Sequence, residues 1–227
     1  MLNATLFYIG CCFGSFLNQV ALKNVLTINF QRSTCDSCSK QLTWYDLIPL
    51  FSYILYRRKC RYCNFPIAYS YLIAELICGA LFILIFCIQQ LQSIIIITTL
   101  ILAYLYSLMD YYHLEINPTL FYLPNILLLV TVVSINGITE TLHISFTFLL
   151  FIVLFSITKL LPNSLGGADI KIILSWSIFF EPSIILITLI LSSGIGLCYS
   201  LLMTKTNTSP FIPFLTLGLL LALLLNK

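Results

Sequence analysis

The chain has 227 residues, of which 60% are hydrophobic and 8% charged, with a formal net charge of +3. An ordinary soluble domain is about a quarter charged, and a domain of this size must turn a large share of its side chains to water. The composition therefore excludes a cytosolic globular enzyme, a disordered chain and a secreted disulfide scaffold, and leaves a polytopic membrane protein whose outer surface faces lipid.

The first apolar run, Ala4 to Leu22, has no basic region before it and no small-residue cleavage site after it. That pattern predicts a retained span rather than a removed signal peptide. Asn18, polar within that span, reads as a residue hydrogen-bonding across helices. Of the nine cysteines, Cys11, Cys12, Cys78, Cys87 and Cys198 lie in apolar runs and read as small hydrophobes.

Next comes a sustained polar segment, about Lys23 to Asn64. It carries Arg32, Lys40, Arg57, Arg58, Lys59 and Arg61, too short and too mixed with aromatics to be a nucleic-acid surface. These residues read as a loop lying against anionic lipid headgroups, and no nucleic-acid partner is expected. The segment also contains Cys35-x2-Cys38, a gap of 21 residues, and Cys60-x2-Cys63. Paired CxxC knuckles at this separation resemble a zinc ribbon, in which each knuckle presents two thiolates to one tetrahedral ion. An insert of this size cannot build a sufficient core alone, and a closed four-cysteine site predicts a structural Zn2+.

Beyond the insert the chain divides at polar, Pro and Gly punctuation into apolar stretches over about 66–88, 94–110, 119–135, 144–161, 169–181, 183–203 and 211–226. With the first span they predict an all-α polytopic membrane protein of about eight transmembrane helices, with a small cytoplasmic zinc-ribbon-like insert. If the insert is cytoplasmic, alternation places ten of the eleven basic residues inside, among them Lys159, Lys171 and Lys205, and only Lys227 outside. The expected outer loops, near Gln89–Ser93, Asn136–His143 and Glu181, hold no Lys or Arg. His113 and His143, near opposite membrane edges, have no partner by spacing and read as interfacial residues, as do Trp44, Tyr45, Tyr69 and Tyr71.

Acids inside spans are costly and point to function. Glu75 reads as a buried acid paired to a neighbouring helix, with orientation of the insert or service to a second activity as alternatives. Asp110 closes one span and Asp169 opens another, directly after Gly166-Gly167-Ala168, and span counting puts both at the same membrane edge. Two carboxylates sharing a water can hydrolyse a peptide bond, one acting as base and the other, protonated, polarising the carbonyl. Proton-coupled transporters also use paired intramembrane acids, so these residues leave protease and transporter open together.

The motifs, in order, resemble the type IV prepilin leader peptidases, a family that includes competence-pseudopilin peptidases. Gly14-Ser15-Phe16-Leu17-Asn18 matches its GSFLN signature. Cys35 through Trp44-Tyr45-Asp46-Leu47-Ile48-Pro49-Leu50 to Cys60 and Cys63 resembles its tetracysteine insert. Glu75-Leu76 with Gly79, Gly166-Gly167-Ala168-Asp169-Ile170-Lys171 and Pro210-Phe211-Ile212-Pro213-Phe214 resemble its ELxxG, GGGDxK and PFGPF elements. The third glycine of GGGD is Ala168 here, Lys23 stands where Arg is usual, and the proline of Ile116-Asn117-Pro118 is shifted by one. A position needing positive φ would disfavour Ala168.

The resemblance implies an aspartic endopeptidase of the bacterial plasma membrane with Asp110 and Asp169 as catalytic residues. It implies prepilin-like substrates, cut between a short basic leader and a hydrophobic helix at the cytoplasmic face. Many members also N-methylate the new amino terminus using S-adenosylmethionine, although no stretch of this sequence marks a methyl-donor pocket. The corresponding division is a first helix over 1–23, a cytoplasmic tetracysteine insert over 24–65 and a transmembrane peptidase domain over 66–227. Nothing in the sequence sets an oligomeric state.

Overall fold

The structure, a computed structural model, describes residues 2–23, 33–35, 37–87, 93–136, 143–161, 165–202 and 210–226. Arg32, Lys205 and Lys227, and the expected loops at 89–92 and 137–142, lie outside these residues. The described chain is helical: α1 Leu2–Lys23, a 3-10 turn Trp44–Leu47, α2 Phe51–Leu55, α3 Tyr69–Cys87, α4 Ser93–His113, α5 Pro118–Asn136, α6 Ile144–Leu160, α7 Gly167–Phe179, α8 Pro182–Leu202 and α9 Ile212–Leu225. Among the described residues β pairing is confined to the isolated bridges Thr34–Gln41 and Lys59–Pro66. The chain is thus the all-α membrane protein its composition requires.

Helix boundaries follow local chemistry. α5 and α8 begin on Pro118 and Pro182, which supply a helical φ where no amide partner is needed. α4 ends on the left-handed Leu114 (φ 56°), whose N–H bonds the Asp110 carbonyl at 3.0 Å. Among the described residues, three helices, over Asn3–Lys23, Ile95–His113 and Pro182–Leu202, are long and apolar enough to cross a membrane. The apolar helices over Tyr69–Leu84, Pro118–Ser134, Ile144–Leu160 and Ile212–Leu225 are shorter. α7 has 13 residues, about 20 Å at 1.5 Å per residue, less than the roughly 30 Å hydrocarbon core. Exposed Leu123, Leu127, Phe148, Leu149 and Ile190 present the apolar outer faces that lipid demands.

Residues 1–93 and 94–227 form two compact units. In the first, α1 packs on α3 through small residues. A Cβ added at Gly10 would lie 2.8 Å from the Cys78 carbonyl oxygen and 2.8 Å from the Gly79 Cα. At Gly14 it would lie 2.8 Å from the Ala74 carbonyl oxygen. Two glycines four apart thus bring the helix backbones together, as in membrane helix pairs that gain stability from close packing rather than from hydrophobic burial. Cys11, Ala74 and Cys78 are buried along this seam, as is Asn18.

In the second unit α8 and α9 pack along Ile185, Thr188, Leu215, Leu219 and Ala222, all buried. Gly218 plays the part that Gly10 plays in the first: a Cβ there would lie 2.7 Å from the Thr188 carbonyl oxygen.

Candidate metal centre and carboxylate pair

In the insert, the Sγ atoms of Cys35, Cys38, Cys60 and Cys63 all lie within 4.8 Å of one another. The two knuckles are built alike. The Cys35 N–H donates to the Lys40 carbonyl at 3.0 Å and the Ser39 N–H to the Cys35 carbonyl at 2.9 Å. The Cys60 N–H donates to the Phe65 carbonyl at 2.9 Å and the Asn64 N–H to the Cys60 carbonyl at 2.9 Å. Each turn closes on a left-handed residue, Ser39 (φ 55°) or Asn64 (φ 58°). Four sulfurs about 2.3 Å from a central ion stand about 3.8 Å apart along each tetrahedral edge, and the Cys35–Cys63 Sγ separation is 3.8 Å. The Cys35 thiol is lowered to about 7 because the Cys38 and Ser37 amides donate to its sulfur, which favours the thiolate that metals bind. The group is therefore competent to hold a metal.

Glu75 of α3 is buried, and its Oε2 accepts the Leu50 N–H at 2.9 Å. It also hydrogen-bonds the Ser15 side chain of α1. The acid thus pairs with a neighbouring helix and orients the insert as well, so the two roles weighed as alternatives coexist. Leu50 is held at φ 62°, a conformation costly for a branched side chain.

The second unit holds the two aspartates. Asp110, in the last turn of α4, is 7% exposed, and Asp169, third residue of α7, is 9% exposed. Asp110 Oδ2 accepts the Ile212 N–H at 3.0 Å, and the Phe211 N–H also reaches this carboxylate. These amides open α9, where main-chain donors lack helical partners and the helix dipole favours negative charge. Asp169 Oδ2 accepts the Gly166 N–H at 3.2 Å, reaching back to the residue that caps its own helix. The two carboxylates are near enough to interact through their charges. Each is held by main-chain donors at a helix start, which fixes its position without neutralising it.

Ala168 is not among the positive-φ residues and sits inside the first turn of α7. A helical backbone accepts Ala as readily as Gly, so this departure from GGGD carries no backbone strain.

The main-chain donors to Asp110 come from the Pro210–Phe214 motif, whose role has no side-chain signature. A second feature also escaped the sequence. Asn125 Nδ2 donates to Tyr106 Oη at 2.8 Å and to the Phe121 carbonyl at 2.7 Å, while Ser175 Oγ donates to Asn125 Oδ1 at 2.7 Å. This bridge joins α4 to α7, the helices that carry the aspartates, through α5. Ser107 Oγ and Thr216 Oγ1, 3.0 Å apart, tie α4 to α9 as well. Polar residues in the middle of apolar helices were the available signal, but their partners lie 19 and 50 residues away.

Residues 8–89 match the family model described as the Bacterial Peptidase A24 N-terminal domain. Several curated relatives share the name prepilin leader peptidase/N-methyltransferase. That of Myxococcus xanthus is 44% identical over 79 residues, 34% of this chain and 24% of the relative. That of Vibrio cholerae is 34% identical over 124 residues, 50% of this chain and 47% of the relative. That of Bacillus subtilis is 34% identical over 79 residues, 34% of this chain and 32% of the relative. The chain thus spans less than half the length of these relatives. No solved structure matches it. By the domain match and the shared name of these relatives, the chain is similar to the type IV prepilin leader peptidase family.

Proposed function

We propose that the protein is an aspartic endopeptidase that cuts basic leaders from type IV prepilin-like precursors at the cytoplasmic face of the bacterial plasma membrane. One observation carries this function: two buried carboxylates, Asp110 and Asp169, interact within a single helical unit, each fixed by main-chain N–H groups at a helix start. Two carboxylates within one site divide the roles of acid and base between them. The ionised partner takes a proton from water while the protonated partner hydrogen-bonds the scissile carbonyl. The water oxygen adds to the carbonyl carbon, and collapse of the tetrahedral species returns a proton to the departing amine. Either aspartate can begin as the base, since a coupled pair titrates as a unit. The junction between a basic leader and an apolar helix sits where bilayer meets cytosol, the depth that span counting assigns to Asp110 and Asp169.

The four-cysteine group is the seat of one structural Zn2+. Its donor set is all thiolate with no open position, so the ion holds the insert together and takes no part in hydrolysis. The N-methyltransferase in the shared name of the relatives supports a second activity here, N-methylation of the new amino terminus, for which S-adenosylmethionine would supply the electrophilic methyl group.

The test uses purified full chain in detergent with a synthetic precursor carrying a basic leader, a glycine and an apolar helix. Mass spectrometry of the products is expected to show leader removal by the native protein and none by Asp110→Asn or Asp169→Asn. Normal processing by either variant would rule the pair out.

A further inference from the structure

The short helix α2 is turned inside out. Its polar residues Ser52 and Tyr53, with Tyr56 just after them, line the cavity between α1, the insert and α3. Phe51, Ile54 and Leu55 are left outside, 68%, 72% and 73% exposed. Their i, i+3, i+4 spacing sets them on one face. A helix surrounded by water turns such a face to the core; a helix lying in a bilayer surface turns it to lipid.

Two contacts with α3 fix the depth of α2. At its entrance the Leu50 N–H donates to Glu75 Oε2 at 2.9 Å. At its exit the Arg58 guanidinium lies 3.9 Å from the centre of the Tyr69 ring, and Tyr69 opens α3. Glu75 is six residues beyond Tyr69, about 9 Å along the axis at 1.5 Å per residue. Its side chain leans back toward the helix start, which shortens this depth without cancelling it. The 19 residues of α3 reach about 28 Å, close to the roughly 30 Å hydrocarbon core. Tyr69 therefore sits at the membrane edge, and α2 runs beside the stretch of α3 just inside it. Left-handed residues bracket α2, Leu50 (φ 62°) before it and Arg57 (φ 49°) and Arg58 (φ 63°) after it, so the chain bends sharply into this position and out again. Strained backbone of this kind persists where its surroundings enforce it.

The charges beside this face have one sign. Arg57, Lys59 and Arg61 are exposed and follow α2 directly, and no acid stands between Leu55 and Glu75. Basic side chains at a bilayer surface attract anionic headgroups.

We propose that α2 is an interfacial anchor: Phe51, Ile54 and Leu55 insert among the acyl chains beside α3, and Arg57, Lys59 and Arg61 hold anionic lipid headgroups above them. The insert is then fastened to the bilayer between its two cysteine knuckles, and the anchor sets the height of the four-cysteine group over the membrane.

The first arm of the test needs no variant. Full-length native protein is placed in nanodiscs of equal phosphatidylglycerol and phosphatidylcholine, with a trace of phospholipid carrying a diazirine near the carbonyl end of one acyl chain. After illumination and trypsin, lipid adducts are expected on the peptide Gln41–Arg57, localised by fragmentation to residues 51–55, at a yield like that of the exposed face of α8 around Ile190. Labelled α8 with residues 51–55 unlabelled would overturn the anchor. The second arm places photoreactive benzoylphenylalanine at Ile54, with elution profile and helix content confirming the fold. Lipid adducts are expected, phosphatidylglycerol severalfold over phosphatidylcholine, and this preference is expected to fall toward parity when Arg57→Gln and Arg61→Gln are added. Crosslinks to residues beyond 93 or to a second copy, in place of lipid, would overturn the insertion of α2. Equal capture of the two lipids, or a preference unchanged by the arginine substitutions, would overturn the headgroup role.

Discussion

The Asn125 bridge makes a prediction whose size follows from its bonds. Asn125→Leu keeps the branched heavy-atom skeleton of the side chain and removes three hydrogen bonds, to Tyr106 Oη, the Phe121 carbonyl and Ser175 Oγ. At about 0.6 kcal/mol each, the average for interhelical bonds in a membrane protein, the loss is about 2 kcal/mol, or about 30-fold in the unfolding equilibrium. Reversible unfolding in mixed detergent micelles measures it. Ser175→Ala breaks the single 2.7 Å bond to Asn125, so the double-mutant cycle is expected to return a coupling near 0.6 kcal/mol. Because Tyr106 precedes Asp110 by one turn, Asn125→Leu is also expected to lower kcat for leader removal more than it raises KM. A variant within about 0.5 kcal/mol of native, or effects additive within about 0.3 kcal/mol, would refute the bridge as a link between the aspartate helices.

Three further outcomes are expected. Gly14→Val places a Cβ 2.8 Å from the Ala74 carbonyl oxygen and should cost about 1–3 kcal/mol, seen as a lower thermal midpoint; Gly194→Ala, whose Cβ meets nothing within 4 Å, should leave that midpoint unchanged, and equal effects would refute the close α1–α3 seam. Gly166→Ala puts a Cβ 2.9 Å from Asp169 Oδ2 and should lower kcat by about 10- to 100-fold through displacement of the carboxylate, with native kcat as the contrary result. Elemental analysis should find about one zinc per native chain and none in Cys35→Ser, and acidification should release the ion as protons compete for the thiolates; freshly prepared, unchelated native protein without metal would count against the site.

How far the sequence revealed the molecule depends on how locally each feature is encoded. The apolar runs over 144–161 and 183–203 return as α6 and α8 because lipid demands apolar length, and prolines and polar residues bound each run. The CxxC spacing was legible because a tetrahedral thiolate site dictates it within a few residues. The start of α7 was two residues off, since Gly167 and Ala168 are already helical ahead of Asp169. The five-residue α2 carries no periodicity long enough to read. The donors to Asp110 are main-chain amides 101 and 102 residues away, and no side chain announces them. Asn125 alone among apolar neighbours signals cost, but not which of two distant helices meets it.

The likeness of the two cysteine turns bears on the order in which the insert matures. Each knuckle satisfies its own main-chain groups, so each half-site is organised by its own few residues. During synthesis the first can wait as a two-thiolate landing point while the intervening 21 residues emerge. Arrival of the second then brings the four sulfurs together, and assembly of the group becomes a docking of two finished halves. The entropic toll of that docking, about 3 kcal/mol for a loop of this length beyond a constant offset, is small beside the binding energy that structural zinc sites in general reach.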